Sequence, residues 1–202
     1  GALLLEAEDS EEFLTDTIRP YGEFAVPRSS FFQINTEMAS KLAAEFLRIV
    51  EEVKPEVFIE LYCGCGVFSV LAAEAGVGKV YGVELNSDAV RAANRNLHEH
   101  GLPHCKFLAG DAVRMLGQLP LQTKQRPLML VDPPRTGLER PVIDALSGSA
   151  AHDLVYVSCG PDTLARDLAL FRRQGWTVAE TGLFDLFPST AHFESLTWLK
   201  RG

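Results

Sequence analysis

The chain has 202 residues, 47% of them hydrophobic, and a formal net charge of −8. That length suits one sizeable core and is short for two; no stretch approaches the roughly 20 apolar residues of a membrane span, and the N-terminus lacks the basic region and apolar core of a signal peptide. A soluble, cytoplasmic chain is expected, and its acidic balance argues against these residues alone gripping nucleic acid, because that affinity rests mainly on Lys and Arg neutralising phosphates.

Residues 1–30 carry short apolar runs, Ala2 to Leu5 and Phe24 to Val26, separated by the acidic stretch Glu6 to Glu12. They read as a strand pair or an appendage, distinct from a main domain over 31–202. From Thr36 the apolar period becomes helical: Met38, Leu42, Phe46, Ile49, Val50 and Val53 recur at threes and fours, with Asn35 or Thr36 as N-cap and Pro55 as terminator. Strands and helices then alternate. The pattern predicts strand Val57 to Tyr62, helix Phe68 to Ala75, strand Lys79 to Glu84, helix Ser87 to His100, strand Cys105 to Ala109 and a short helix Ala112 to Leu119. It continues with strand Leu128 to Val131, helix Arg140 to Ser147, strand Leu154 to Ser158, helix Asp162 to Gln174, and strands Thr177 to Phe184 and Phe193 to Leu199. Such alternation implies an α/β fold with a mostly parallel sheet covered on both faces. The two last strands, with no helix between them, predict a C-terminal antiparallel hairpin. No internal repeat or low-complexity segment interrupts the pattern.

After the first strand of this series, Gly64-Cys65-Gly66 lets backbone approach a ligand at a helix N-terminus. Glu84 ends the next strand, 20 positions after Gly64, where a carboxylate accepts hydrogen bonds from ribose hydroxyls. Asp111 follows the third strand, where a carboxylate takes an adenine amino proton. These features fit a dinucleotide and S-adenosylmethionine alike, although Phe68 and Ser69 occupy the region of the dinucleotide fingerprint's third glycine.

Cys63, Cys65, Cys105 and Cys159 lie on separate elements, and one residue between Cys63 and Cys65 is too few for a zinc pair, so no metal is expected. Cys63, Cys65 and Cys105 read as small buried hydrophobes. Cys159 differs: it ends the apolar run Leu154 to Ser158 and opens into Gly160-Pro161 and a helix, at the strand end where open α/β sheets place their chemistry. It reads as a nucleophile, with its pKa expected to be lowered by the following helix N-terminus and helped by Arg135. Asp132-Pro133-Pro134-Arg135 closes the preceding strand, and Glu194 ends the polar turn from Phe187, so a thiol and a carboxylate base are expected to share one cleft. His98, His100, His104 and His152 read as surface residues, and Arg166 as facing phosphate or pairing with Asp162 one turn away.

The blocks Phe31-Phe32-Gln33-Ile34-Asn35, Leu61-Tyr62-Cys63-Gly64-Cys65-Gly66, Asp132-Pro133-Pro134-Arg135-Thr136-Gly137-Leu138, Tyr156 to Leu168 and Phe184-Asp185-Leu186-Phe187-Pro188 run in the order found in the RNA (uracil-C5)-methyltransferases, which the chain resembles. The resemblance implies a class I, Rossmann-like methyltransferase fold with S-adenosylmethionine as cofactor, held by Gln33, Tyr62, Glu84 and Asp132 beside Gly64, Gly66 and Asp111. It implies Cys159 as nucleophile toward uracil C6, Glu194 as base at C5, and Arg135 and Phe31 beside the substrate. The partner would be tRNA or 23S rRNA, gripped mainly by an OB-like domain and a central domain that precede this region in full-length relatives; the chain then reads as a monomeric catalytic-domain fragment. Departures stand at Val67 and Cys65, where Asn is common, at Gly160, where Asn usually follows the nucleophile, and at His192, the remnant of a His-rich turn. The competing expectations are an amino- or cytosine-type nucleic-acid methyltransferase and an RNA chaperone that binds S-adenosylmethionine.

Overall fold

Buried β-branched and aromatic runs alternating with amphipathic helices build one sheet with helices on both faces. The computed structural model describes residues 13–28, 35–120, 125–186 and 193–202. Its elements are β1 (Phe13–Ile18), β2 (Gly22–Pro27), α1 (Thr36–Val53), β3 (Val57–Leu61), α2 (Val67–Glu74), β4 (Lys79–Glu84), α3 (Ser87–Glu99) and β5 (Cys105–Ala109). They continue as α4 (Ala112–Leu116), β6 (Leu128–Val131), α5 (Arg140–Gly148), β7 (Asp153–Ser158), α6 (Pro161–Arg173), β8 (Trp176–Phe184) and β9 (Glu194–Arg201).

Among the described residues the larger sheet has seven strands in the order β5-β4-β3-β6-β7-β9-β8. The strands from β3 to β7 pair in parallel, whereas β9 is antiparallel to both β7 and β8. The terminal hairpin is as expected, but β9 inserts between β7 and β8, which the sequence order alone does not reveal. Burial explains the insertion: β9 is covered over its first six residues, while β8 is exposed through most of its length and takes the edge. The chain runs outward from β3 to β5 and then returns to the other side of β3, so the strand order reverses between β3 and β6. A crevice opens at such a point beyond the carboxyl ends of the strands.

Side chains of period two feed two cores. Phe46, Phe58, Val155 and Trp198 pack on the face covered by α1, α2 and α3; Ile59, Tyr156, Phe171 and Trp176 pack on the face covered by α4, α5 and α6. Each fully buried large side chain contributes roughly 1.5–3 kcal/mol, which makes these two layers the main support of the strand ends. Helix α1 starts where the Asn35 side chain accepts from the Met38 amide (3.2 Å) and ends at Lys54 with φ +49, as the period and Pro55 suggest. Helix α4 stops at Leu116 rather than Leu119, closed by Gly117 at its C-cap.

The N-terminal region does form a strand pair. Phe24 to Val26 pairs with Phe13 to Ile18, and Ala2 to Leu5 lies outside the described residues. The hairpin docks through Asn96 of α3, which is fully buried. Its side-chain oxygen accepts from the Ala25 amide (2.7 Å), and its amide donates to the carbonyls of Ala25 (3.1 Å) and Cys65 (2.9 Å). His100 is not the surface residue expected: its ring stacks on Phe24 and bonds Glu74 (2.7 Å) and the Glu23 carbonyl. His152 is likewise half-buried, against the Arg201 carbonyl, because β9 runs on to Arg201.

Candidate active site

At the reversal point, β3 passes through Tyr62, which holds φ +63, into Gly64 (φ +52) and Gly66 (φ +81) and then α2. A left-handed Tyr is uncommon and such residues cluster at functional sites. Gly66 has no alternative: a Cβ there would lie 2.3 Å from the Phe107 ring. Glu84, at the end of β4, accepts from the Gly64 amide (3.1 Å) through one carboxylate oxygen and from the Asn86 amide (2.8 Å) through the other. The carboxylate is therefore fixed before any ligand arrives, with lone pairs left over for it. Asp111 caps α4 by accepting from the Arg114 amide (2.9 Å) and stands exposed on the same rim. Tyr62, half-buried, faces the carboxylates of Glu139, Asp111 and Glu84, and burial first, then those charges, raises its pKa.

Below this rim lies a cavity of about 120 Å³ lined by Ala39, Leu42, Glu60, Tyr62, Cys65 and Asp132, among others. Glu60 is only 2% exposed, and it accepts from the Ser69 hydroxyl (2.5 Å). Burial pushes its pKa up to about 8; the Ser69 hydrogen bond opposes this, and the charges of Asp132 and Glu84 add to it. The sequence reading passed over Glu60, although a carboxylate inside the otherwise apolar run Val57 to Leu61 was a usable signal. Asp132, just past β6, is also pushed up to about 8, by burial first and then by Glu194 and Glu84.

The register of β7 with β9 brings the thiol and the base together. Ser158 pairs with Ser195, and the Ser195 hydroxyl donates to the Ser158 carbonyl (3.1 Å), so Cys159, just past the end of β7, comes beside Glu194 at the start of β9, whose charge acts on the thiol. Glu194 is the first residue of β9 and 4% exposed, inside the strand expected over Phe193 to Leu199. Cys159 is half-buried, one residue before the Gly160 N-cap of α6. Its pKa is raised, contrary to expectation: burial dominates and Glu194 adds to it, while a hydrogen bond from Arg135 pulls the other way. The charge of Asp132 also raises it, and the Arg135 charge also lowers it. The other thiols are structural in setting, Cys65 being pushed up to about 12 and Cys105 to about 11, both chiefly by burial, which also raises Cys63.

Arg166 does not pair with Asp162. It binds Asp167 (2.7 Å) and the carbonyls of Thr136 and Leu138. Phe31, Gln33 and His192 lie outside the described residues. Within those residues, the structure brings Tyr62, Gly64, Gly66, Glu84, Asp111, Asp132, Arg135, Cys159 and Glu194 to the carboxyl edge of one sheet. No described group of three or more His, Cys, Asp or Glu is arranged to hold a metal ion, and no described helix is long and apolar enough to cross a membrane.

Comparison with known proteins matches residues 10–202 to a family model described as tRNA (uracil-5-)-methyltransferase. An uncharacterised RNA methyltransferase of Clostridium acetobutylicum is 34% identical over 95% of the chain, and one of Caldanaerobacter subterraneus is 36% identical over 95%. The chain spans about 41% of the length of each of these curated relatives. The Pyrococcus abyssi tRNA (uracil-54, C5)-methyltransferase, solved with S-adenosyl-L-homocysteine, superposes with a TM-score of 0.78 at 28% identity over 94% of this chain and 44% of that one. A methyltransferase from Agrobacterium tumefaciens shares the fold at 18% identity with a TM-score of 0.69.

Because Glu84 fixes the Gly64 loop and offers two charge-assisted acceptors, Glu84→Ala is expected to weaken S-adenosylmethionine binding about 10–100-fold. Calorimetric titration would show this, and an unchanged affinity would remove Glu84 from the site.

Proposed function

The chain belongs to the tRNA (uracil-5-)-methyltransferase family, and from that membership we propose that it methylates C5 of a uridine in tRNA or 23S rRNA through a covalent bond between Cys159 and C6. The observation that carries this reading is the neighbouring pair Cys159 and Glu194 at the carboxyl edge of the sheet. Amino transfer would leave both without a task.

The described residues fit the family's cofactor. Gly64 and Gly66 leave the backbone of the loop open, Glu84 presents a fixed acceptor, and the small cavity carries Glu60 and Asp132 in an apolar wall, a setting suited to a cation. S-adenosylmethionine, when bound, supplies the methyl group as the carbon attached to a sulphonium. Tyr62, Glu84, Asp111 and Asp132 would hold it.

Uracil C5 is too weak a nucleophile to displace that methyl unaided. The Cys159 thiolate forms a bond to C6, and the C5–C6 π pair moves toward the C4 carbonyl, giving an enolate whose nucleophilic carbon is C5. That pair then forms the C5–methyl bond as the bond from the methyl carbon to the sulphonium sulphur breaks, its electron pair staying on the sulphur of the departing neutral thioether. Glu194 takes the C5 proton, the C–H pair rebuilds the C5–C6 double bond, and the Cys159–C6 bond breaks to return the thiolate. Arg135 favours the thiolate form at the outset.

Gripping the RNA needs more positive charge than a chain of net charge −8 supplies. The reading assigns that task to regions beyond these 202 residues, since the curated relatives are more than twice as long. A tRNA is the first substrate to try, because the Pyrococcus abyssi enzyme acts on one. Substrate RNA tritiated at uracil C5 tests the reaction: the full-length protein should release one tritium to water for each methyl group incorporated. Methyl incorporation without tritium release would overturn C5 as the target.

A further inference from the structure

The turn from Asp132 to Leu138 is tied at three successive points to side chains of α6. The Thr163 hydroxyl donates to the Arg135 carbonyl (3.2 Å). The Arg166 guanidinium donates to the carbonyls of Thr136 (3.0 Å) and Leu138 (3.1 Å). The Asp167 carboxylate accepts from the Leu138 amide (2.7 Å). Residues 163, 166 and 167 share one helix stripe, so a single rigid face holds the turn.

Asp167 anchors that stripe. Its side chain is fully buried, and it also accepts from the Tyr156 hydroxyl (2.8 Å) and from Arg166 (2.8 Å). A buried carboxylate persists when its lone pairs are met in this way. The closure is tight: a Cβ at Gly137, whose φ is +74, would lie 2.6 Å from an Asp167 oxygen. The same helix begins two residues after Cys159, and the same turn carries Arg135. Two prolines stiffen the start of the turn but do not set the direction of its far end.

We propose that the Thr163, Arg166 and Asp167 stripe is a clamp that sets the Arg135 guanidinium against the Cys159 sulphur, with Asp167 as a positioning residue for the nucleophile. This rests on reading Cys159 as the nucleophile. Among the described residues, the charged groups acting on the thiol are Glu194 from β9 and Asp132 and Arg135 from the turn, and of these only Arg135 favours the thiolate. A guanidinium keeps its charge at all working pH values, so its influence depends on where it is held. Released from the clamp, Arg135, which is already exposed, turns to solvent and the thiol keeps its proton to higher pH.

The test is the rate of Cys159 alkylation by iodoacetamide from pH 6 to pH 10, read by peptide mass spectrometry without RNA or cofactor, for wild type, Arg135→Gln, Arg166→Gln, Asp167→Asn and Arg135→Gln with Asp167→Asn. Arg135→Gln should move the midpoint up by about one pH unit and slow alkylation near neutrality about 10-fold. Arg166→Gln and Asp167→Asn should reproduce most of that shift, and the double variant should be no slower than Arg135→Gln alone. Arg166 is half exposed at its side chain, so its variant keeps the fold if loss of the buried Asp167 charge does not. A wild-type profile in Arg166→Gln, alongside a shifted profile in Arg135→Gln, would overturn the clamp, as would losses that simply add in the double variant. Since the assay involves no uridine, failure of C5 methylation and failure of the clamp are separate results.

Discussion

Cys159→Ala is expected to lower methyl transfer at least about 10⁴-fold, the loss typical when an enzyme's only covalent route is removed. In the proposed mechanism uracil gains nucleophilic character at C5 through that thiolate. The thiol is half-buried and small, so its loss should leave the fold in place. S-adenosylmethionine affinity should be unchanged, because the residues proposed to hold the cofactor lie at the ends of β3, β4, β5 and β6 and do not include Cys159. Parallel titration calorimetry and methyl-transfer assays on the full-length protein would separate the two effects, and transfer at a rate within tenfold of wild type would contradict a nucleophilic role.

Glu194→Gln should give the opposite kind of defect. Attack at C6 and methyl transfer precede removal of the C5 proton, so one methyl is incorporated per protein and turnover then falls by about 10²–10⁴-fold. Protein joined to ordinary, unsubstituted RNA should accumulate and survive a denaturing gel. The sign of the effect on the thiol reinforces this. The Glu194 charge raises the Cys159 pKa, so replacing it with an amide lowers that pKa, enlarges the thiolate fraction near pH 7 and speeds adduct formation. A variant that turns over normally, or that never forms the adduct, would show that Glu194 is not the base.

The alternation of buried runs and amphipathic helices was legible because period and burial are local properties. Strands β4, β5 and β6 begin and end where the residues predict. What the chain order could not show was nonlocal: β9 slides between β7 and β8 because its residues are buried nearly throughout, and that insertion is what sets Glu194 beside Cys159. The pairing of Phe24 to Val26 with β1 was hard to see for a related reason, since the run Phe13 to Ile18 is only partly apolar, with Thr and Asp between its apolar residues. Glu60 sits in the apolar run Val57 to Leu61, and only the cavity it lines gives that carboxylate a setting. The raised Cys159 pKa depends on how much water two packed strands exclude, and no helix-start motif reports that. Arg166 and Asp167 stood in a recognisable block, but their partners at Thr136 and Leu138 lie about 30 positions away.

The central claim is that Cys159 bonds to C6 of a uridine in RNA. The most direct measurement is intact mass of the full-length protein after incubation with S-adenosylmethionine and 5-fluorouridine-substituted tRNA or 23S rRNA, alongside Cys159→Ala. Fluorine at C5 cannot leave as a proton, so the wild-type protein should stall as a covalent RNA adduct carrying the transferred methyl, and Cys159→Ala should form none. Unmodified wild-type protein with either RNA, under conditions where the cofactor binds, would contradict the covalent mechanism.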